Sequence, residues 1–397
     1  MTAGSDDLID AIHGGHGGHG GDGLDGSLVD AVCRRLADEP GDVAVLAANE
    51  VRRLAPLHSE PERQRLVADA VARLTGLGEL AVHLRDPDVD EVLVNADGDV
   101  WLDRQGRLER VDVLGPGRVE HLLERLLAPL GRRVDRSSPI VDARLPDGAR
   151  VCAVLPPVAV DGPTLAVRRF ADQRRPLDEF TDREGADLLD AVIAARCNIV
   201  VSGATSSGKT SLVGALLDRL PSAERIVVVE DTAELPVDRA AHTVRLEARP
   251  PSADGPPPIE PAALVRTALR LRPDRIVVGE VRGDEVLALV QAMNTGHDGS
   301  LSTVHANGPV DALMRLESLV LQAAPTWPLA AIRRQLGRSI DLIVHVGRGT
   351  DGGSRSIVSI DEVEQPGTDG AALSTRRLAR CDEDRLRVIA ALHRRRR

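Results

Sequence analysis

The octapeptide Gly203, Ala204, Thr205, Ser206, Ser207, Gly208, Lys209, Thr210 places two glycines, four hydroxyls and one lysine in the spacing GxxxxGK[ST]. Between a strand and a helix, a loop of this spacing turns its backbone N–H groups toward one point. That point is a helix N-terminus, whose dipole favours negative charge, so the loop suits a row of phosphates. The flanks agree: residues 198–202 read as a buried strand and residues 210–220 as a helix. Of the 50 basic residues 49 are arginine, and Lys209 is the only lysine. A lysine placed at random falls in an eight-residue window of this chain about 2% of the time, so its position independently supports the motif. A compact ammonium is what a guanidinium cannot replace. The expectation is a Mg-ATP site in which residues 203–211, including Ser211, cradle the phosphates. In it Lys209 reaches the β and γ phosphates and the Thr210 hydroxyl holds Mg²⁺.

Hydrolysis needs a carboxylate that polarises the attacking water. Ile276-Val277-Val278-Gly279-Glu280 supplies one at the carboxyl end of a short apolar run, where open α/β sheets place their ligands. Gly279 stands where a Walker B aspartate is expected, so Mg²⁺ falls to Thr210 and water, or to carboxylates from elsewhere. Glu230, Asp231 and Glu234 follow another apolar run and read either as a second acidic contribution to the phosphate end or as a solvated turn. In residues 295–307, His297 and His305 stand among glycines and hydroxyls, a composition that fits a γ-phosphate sensor or, alternatively, a pair of metal ligands.

These groups need a scaffold. From residue 198 onward unbroken β-branched runs alternate with helical patterns: strands at 198–202, 225–230 and 275–279, helices at 210–220, 261–271 and 284–293. Strands apolar on both faces imply a parallel sheet covered by helices, hence a RecA-like P-loop motor. Residues 244–261, with five prolines at 250, 251 and 256–258 and another at 261, read as a loop interrupting it. Ahead of it, residues 28–84 carry helical periodicity, and residues 86–113 and 138–170 carry short alternating strands around a helix at 119–127. The chain thus divides into a disordered Gly/His-rich tail (1–27), an N-terminal helical then α+β domain (28–175) and the motor (176–397), with residues 174–178 as linker. The tail's His13, His16 and His19 fit a flexible segment, or a metal site.

Bulk composition narrows the remaining classes. With 42% apolar residues over 397 positions the chain can bury two cores. A net charge of −11, with no basic run before Arg394 to Arg397, speaks against direct nucleic-acid binding. Cys33, Cys152, Cys197 and Cys381 form no CxxC pair, which fits a reducing cytoplasm. No stretch is apolar enough to span a bilayer and the first ten residues are acidic, so membrane contact is expected through a partner.

The phosphate loop, the acidic box Glu230-Asp231-Thr232-Ala233-Glu234, the segment from Arg272 through Glu280 to Gly283, and the histidine segment to Asn307 occur in one order. This set resembles the CpaF/TadA branch of the type II and type IV secretion ATPases, across about residues 80–346. The resemblance implies a homohexamer that drives Flp/Tad-type pilus assembly or protein secretion, peripheral at the inner face of the plasma membrane, through an inner-membrane platform protein. It is similar as well to conjugation-associated ATPases, in which other subunits handle the moved DNA or protein. It further implies N-terminal-domain arginines near the phosphates, for which Arg150 and Arg168 occupy the matching places, and a cycle with Glu280 and Glu230 as catalytic acids and His305 as sensor.

Overall fold

A computed structural model describes residues 21–393, except 37–42, 75–79, 85, 105, 116, 131, 146–147, 170–173, 236, 238–241, 252–255, 349–354, 367–370 and 383–384. His13, His16 and His19 lie outside the described residues. The chain forms two compact units that divide between Arg169 and Phe170.

The first unit opens with helices α1 (Gly21–Leu36), α2 (Val43–Leu54), α3 (Glu60–Leu74) and the single turn α4 (Ala81–Leu84). Helix α1 begins at Gly21, inside the segment expected to be unstructured. Its apolar residues Val29 and Val32 recur at helical spacing and bury against Ala47, Val51, Leu66 and Ala70, which anchors the helix despite its glycines. Next come β1 (Glu91–Val94), β2 (Asp99–Arg104), β3 (Arg107–Val113), α5 (Arg118–Leu127), β4 (Ile140–Arg144), β5 (Arg150–Val154) and β6 (Thr164–Arg168). The strands form an antiparallel sheet in the order β3-β2-β1-β6-β5-β4. Alternate residues Val92, Val94, Val100, Leu102, Val151 and Val167 point to one face and bury there with Leu123, Leu126 and Leu127 of α5.

The second unit carries α6 (Arg183–Ala194), β7 (Ile199–Gly203), α7 (Lys209–Leu217), β8 (Ile226–Glu230), β9 (Thr243–Glu247), α8 (Pro261–Ala268), β10 (Arg275–Val278), α9 (Glu285–Asn294) and β11 (Leu301–His305). It ends with α10 (Pro309–Ala323), α11 (Leu329–Ser339), β12 (Leu342–Arg348), β13 (Arg355–Val363), β14 (Thr375–Asp382) and β15 (Arg385–Val388). Nine strands run in the order β15-β14-β13-β12-β7-β11-β10-β8-β9. From β12 to β9 neighbours are parallel; β13 to β15 extend the sheet antiparallel. Every residue of β7, β8 and β10 is buried, as both-face coverage demands.

Two sequence expectations need correction. Residues 244–261 are not wholly loop, because β9 pairs in parallel along β8 and Arg249 bridges Ile259 beyond it. The prolines that follow mask a five-residue strand whose Val244 and Leu246 pack on the core from an edge. Nor is the segment at 174–178 simply a linker: Leu177 is buried with Phe180 in the core of the second unit.

Candidate active site

Strand β7 ends at Gly203 and α7 begins at Lys209, so the octapeptide spans the turn between two buried elements. Two positions in that turn admit only glycine. A Cβ on Gly203 would lie 2.4 Å from Ser207 Oγ and 2.6 Å from the Val346 carbonyl oxygen. Gly208 has φ of 96°, the left-handed region, and a Cβ there would meet Arg355 Cδ at 3.1 Å and Phe180 Cε1 at 3.4 Å. Ser206 also has positive φ, at 57°. The loop therefore winds into a concave cradle whose outer residues Ala204, Thr205 and Ser206 are exposed.

Lys209 is 6% exposed. Its Nζ donates to the carbonyl oxygens of Gly203 at 3.1 Å and Ala204 at 2.8 Å, and lies 3.2 Å from His305 Nδ1. Burial pushes the ammonium below the usual lysine pKa; Glu280 opposes this and Arg282 adds to it. His305 ends β11 in register with Gly203, and its Nε2 is 3.0 Å from Glu280 Oε1. Burial chiefly lowers the His305 pKa; Glu280 opposes, and Lys209, Arg282 and Arg315 reinforce. A neutral imidazole that accepts from Lys209 at Nδ1 carries its proton at Nε2. One chain of contacts thus joins Lys209, His305 and Glu280.

Glu280 lies two residues past the end of β10, after Gly279. The hydroxyls of Ser302 and Thr303 donate to the carbonyls of Val278 and Gly279 at 2.9 and 2.7 Å, locking β11 beside β10 and fixing where Glu280 emerges. Glu280 Oε2 accepts from an Arg282 guanidinium nitrogen at 2.6 Å. Glu280 Oε1 is buried, and its His305 contact lies off the N–H line, so it has no aligned donor.

Glu230, 5% exposed, ends β8, which β11 and β10 separate from β7. Its Oε1 accepts from the backbone N–H groups of Glu234 and Leu235, each at 2.8 Å, and its Oε2 lies 3.5 Å from Arg245. Burial raises its pKa, with those partners opposing. Beside it, a Cβ on Gly279 would come within 2.8 Å of Glu230 Cγ. Glu230 therefore fills the space that a side chain at 279 would need, which explains the glycine at the Walker B position. We expect Gly279→Ala to lower unfolding free energy by about 1–3 kcal/mol in urea titration; an unchanged midpoint would show that Glu230 yields freely.

The expected site residues do not all gather here. Thr210 sits half-buried in the first turn of α7 and Ser211 follows it. Arg150 and Arg168 stand opposite each other on β5 and β6 of the first unit, with Arg168 also facing Glu91. His297 lies before β11 with Nδ1 3.3 Å from the Ala292 carbonyl oxygen, whereas His305 ends that strand. Five residues of strand, about 13 Å or more, keep the two histidines from sharing a metal. Among the described residues no group of three or more His, Cys, Asp or Glu forms a metal cage. Mg²⁺, which favours a few protein oxygens plus phosphate and water, fits the Thr210 hydroxyl beside the cradle. The sequence reading missed Arg282, Arg355 and Phe180. The Arg282 side chain lies two residues past Glu280 and was within reach of spacing arguments; Arg355 and Phe180 reach Gly208 from distant parts of the chain.

A glycine-walled loop opening a helix, a buried lysine and a carboxylate just past a parallel strand one strand removed from the loop's own define a P-loop ATPase built on a RecA-like motor. The protein hydrolyses ATP, and it belongs to the family described as Type II/IV secretion system protein, which matches residues 74–380. A protein of Mycobacterium tuberculosis (strain H37Rv) named "putative conjugal transfer protein" is 39% identical over 295 residues, 71% of this chain and 83% of that protein. Conjugal transfer protein TrbB of Rhizobium radiobacter is 34% identical over 309 residues, covering 75% of this chain and 90% of TrbB. The crystal structure of the pilus retraction motor PilT with bound ADP shares the fold, with a TM-score of 0.53 at 18% identity over 74% of this chain and 84% of PilT. Among the described residues no helix is long and apolar enough to cross a membrane.

Proposed function

We propose that this chain is the ATPase of a type IV secretion or conjugal-transfer apparatus and works as a homohexamer at the cytoplasmic face of an inner-membrane platform protein. The contact chain Lys209–His305–Glu280 supports the motor chemistry, because one histidine touches both the phosphate-binding lysine and the carboxylate. The relatives support the apparatus: those described above are conjugal transfer proteins matched over most of their length. The narrower expectation of Flp/Tad pilus assembly finds no support among them, and the conjugation-associated alternative is the better reading.

The mechanism follows from the residues. P-loop N–H groups and Lys209 bind the phosphates, Lys209 exchanging its two carbonyl partners for phosphate oxygens. Thr210 contributes an oxygen to Mg²⁺, whose chemistry when bound is to neutralise charge on the β and γ phosphates. Glu280 orients the water and takes its proton as the bond to the γ-phosphorus forms and the β–γ bridge breaks. When Lys209 turns to phosphate, His305 loses its donor at Nδ1, and so registers occupancy at Glu280. Glu230 organises the turn at 231–235 beside that carboxylate. Arg150 and Arg168, adjacent on the first unit's sheet, are the candidates for carrying nucleotide state to the N-terminal domain.

In size-exclusion chromatography with mass readout, Mg-ATPase activity should elute with sixfold-mass particles. Double-stranded or single-stranded DNA should change its rate by less than about twofold, since a net charge of −11 offers little phosphate-backbone attraction. Strong stimulation by DNA would favour a nucleic-acid translocase instead.

A further inference from the structure

We propose that Arg282 is a positioning residue that holds Glu280 in its working orientation, an inference that rests on the reading of Glu280 as the hydrolytic carboxylate. The Arg282 guanidinium donates to Glu280 Oε2 at 2.6 Å, leaving Oε1 as the oxygen that lies beside His305 on the Lys209 side. A carboxylate held by one oxygen rotates no further about its last bond, and the other oxygen is presented in one direction.

The arginine is itself held in place. Glu285, 4% exposed at the start of α9, accepts from the backbone N–H groups of Arg282 at 2.5 Å and Gly283 at 2.8 Å through the same Oε1. The turn between β10 and α9 is thus fixed from inside, and the Arg282 side chain leaves it toward Glu280. The hydrogen bond to Glu280 chiefly raises the Arg282 pKa; burial opposes it, and the charges of Glu280, Asp231 and Glu234, the last two from the turn after β8, add to it. Of these carboxylates Glu280 makes the direct hydrogen bond.

An ordinary surface ion pair would explain the same contact, since the Arg282 side chain is 56% exposed and such pairs contribute little to stability. The two explanations differ in what they move. A surface pair affects neither kinetic constant, whereas loss of a positioning contact lowers turnover and leaves nucleotide binding intact.

The experiment compares full-length Arg282→Ala, Arg282→Lys, Glu280→Gln and the double variant in steady-state Mg-ATP hydrolysis, with thermal midpoints confirming the fold. Arg282→Ala should lower kcat about ten- to a hundredfold with KM within about twofold of the parent. Arg282→Lys should recover part of that loss, because a single charged donor still reaches one oxygen. Adding Arg282→Ala to Glu280→Gln should cost almost nothing more, as expected for two residues acting through one group. If Arg282→Ala keeps kcat within twofold while Glu280→Gln is inactive, the positioning role is wrong and Glu280 stands. A rise in KM matching the fall in kcat overturns it too, by making Arg282 a nucleotide contact. Normal turnover by Glu280→Gln removes the reading on which the proposal rests.

Discussion

Lys209→Ala is expected to abolish Mg-ATP hydrolysis, with kcat/KM falling by about three orders of magnitude or more. On the proposed mechanism the lost ammonium is both the ground-state anchor of the β and γ phosphates and a preorganised charge in the transition state, and a single such donor is worth about 10²–10³ in rate. Lys209→Arg should fail nearly as completely. The Nζ sits 6% exposed between two loop carbonyls and an imidazole nitrogen, a space shaped for a compact ammonium and too narrow for a planar guanidinium. The fold should survive the alanine change. Burial already disfavours the charged lysine, so its removal should leave the thermal midpoint unchanged or slightly higher. Steady-state hydrolysis, fluorescent-nucleotide binding and a thermal scan on the same preparation check all three. Residual turnover above a tenth of the parent would mean that the cradle binds phosphate without its lysine.

Glu280→Gln should separate binding from turnover. The amide keeps the size of the carboxylate and an acceptor oxygen, so nucleotide affinity should stay within about threefold. Hydrolysis should fall about 10²–10⁴-fold, because the group can no longer take the proton from water. The surroundings make this a sharp test. Glu280 Oε1 is buried without an aligned donor, and Oε2 is held by Arg282, so the substitution removes charge and basicity while changing little in packing. Trapped, unhydrolysed ATP measured in a filter assay alongside multiple-turnover rates would show the effect. Normal turnover would move the catalytic role to another carboxylate, and Glu230 is poorly placed to inherit it. Its Oε1 already serves two backbone N–H groups.

The arrangement explains how one strand pair links binding to chemistry. Strand β11 lies between β7, which leads into the cradle, and β10, which leads to Glu280. His305 at its end touches both sides. A displacement of β7 against β10 is therefore felt at one imidazole, whose neutrality follows mainly from burial and is reinforced by Lys209. The same burial keeps the ring in the form that accepts from the lysine.

Much of this was legible from residues alone, and the legible part is local. The cradle spans eight consecutive residues, so its strand, glycines and helix start are written next to one another, and a lone lysine among 49 arginines marked its centre. Glu280 was readable for the same reason: a carboxylate directly after an apolar run must emerge at a strand's end. Parallel architecture followed from β-branched runs too uniform for a sheet with one wet face. The order of four motifs carried the family, while the branch within it was read too narrowly.

Tertiary structure decided what depends on residues far apart in the chain. That Gly279 must be glycine follows from Glu230, 49 positions earlier, occupying its side-chain space. That His305 and not His297 lies beside Lys209 and Glu280 follows from the direction of β11, which His297 precedes and His305 ends. Strand β9 was hidden because an edge strand needs few apolar residues and the prolines after it dominate the pattern. Arg355 and Phe180 wall Gly208 only because the antiparallel extension and the turn before α6 fold onto the P-loop. Sequence determined the chemical groups and the local turns that aim them, since backbone geometry over a few residues is set by their own sterics. Which distant side chains close around those groups was settled by packing, because spatial neighbours across a sheet leave no spacing in the chain to be read.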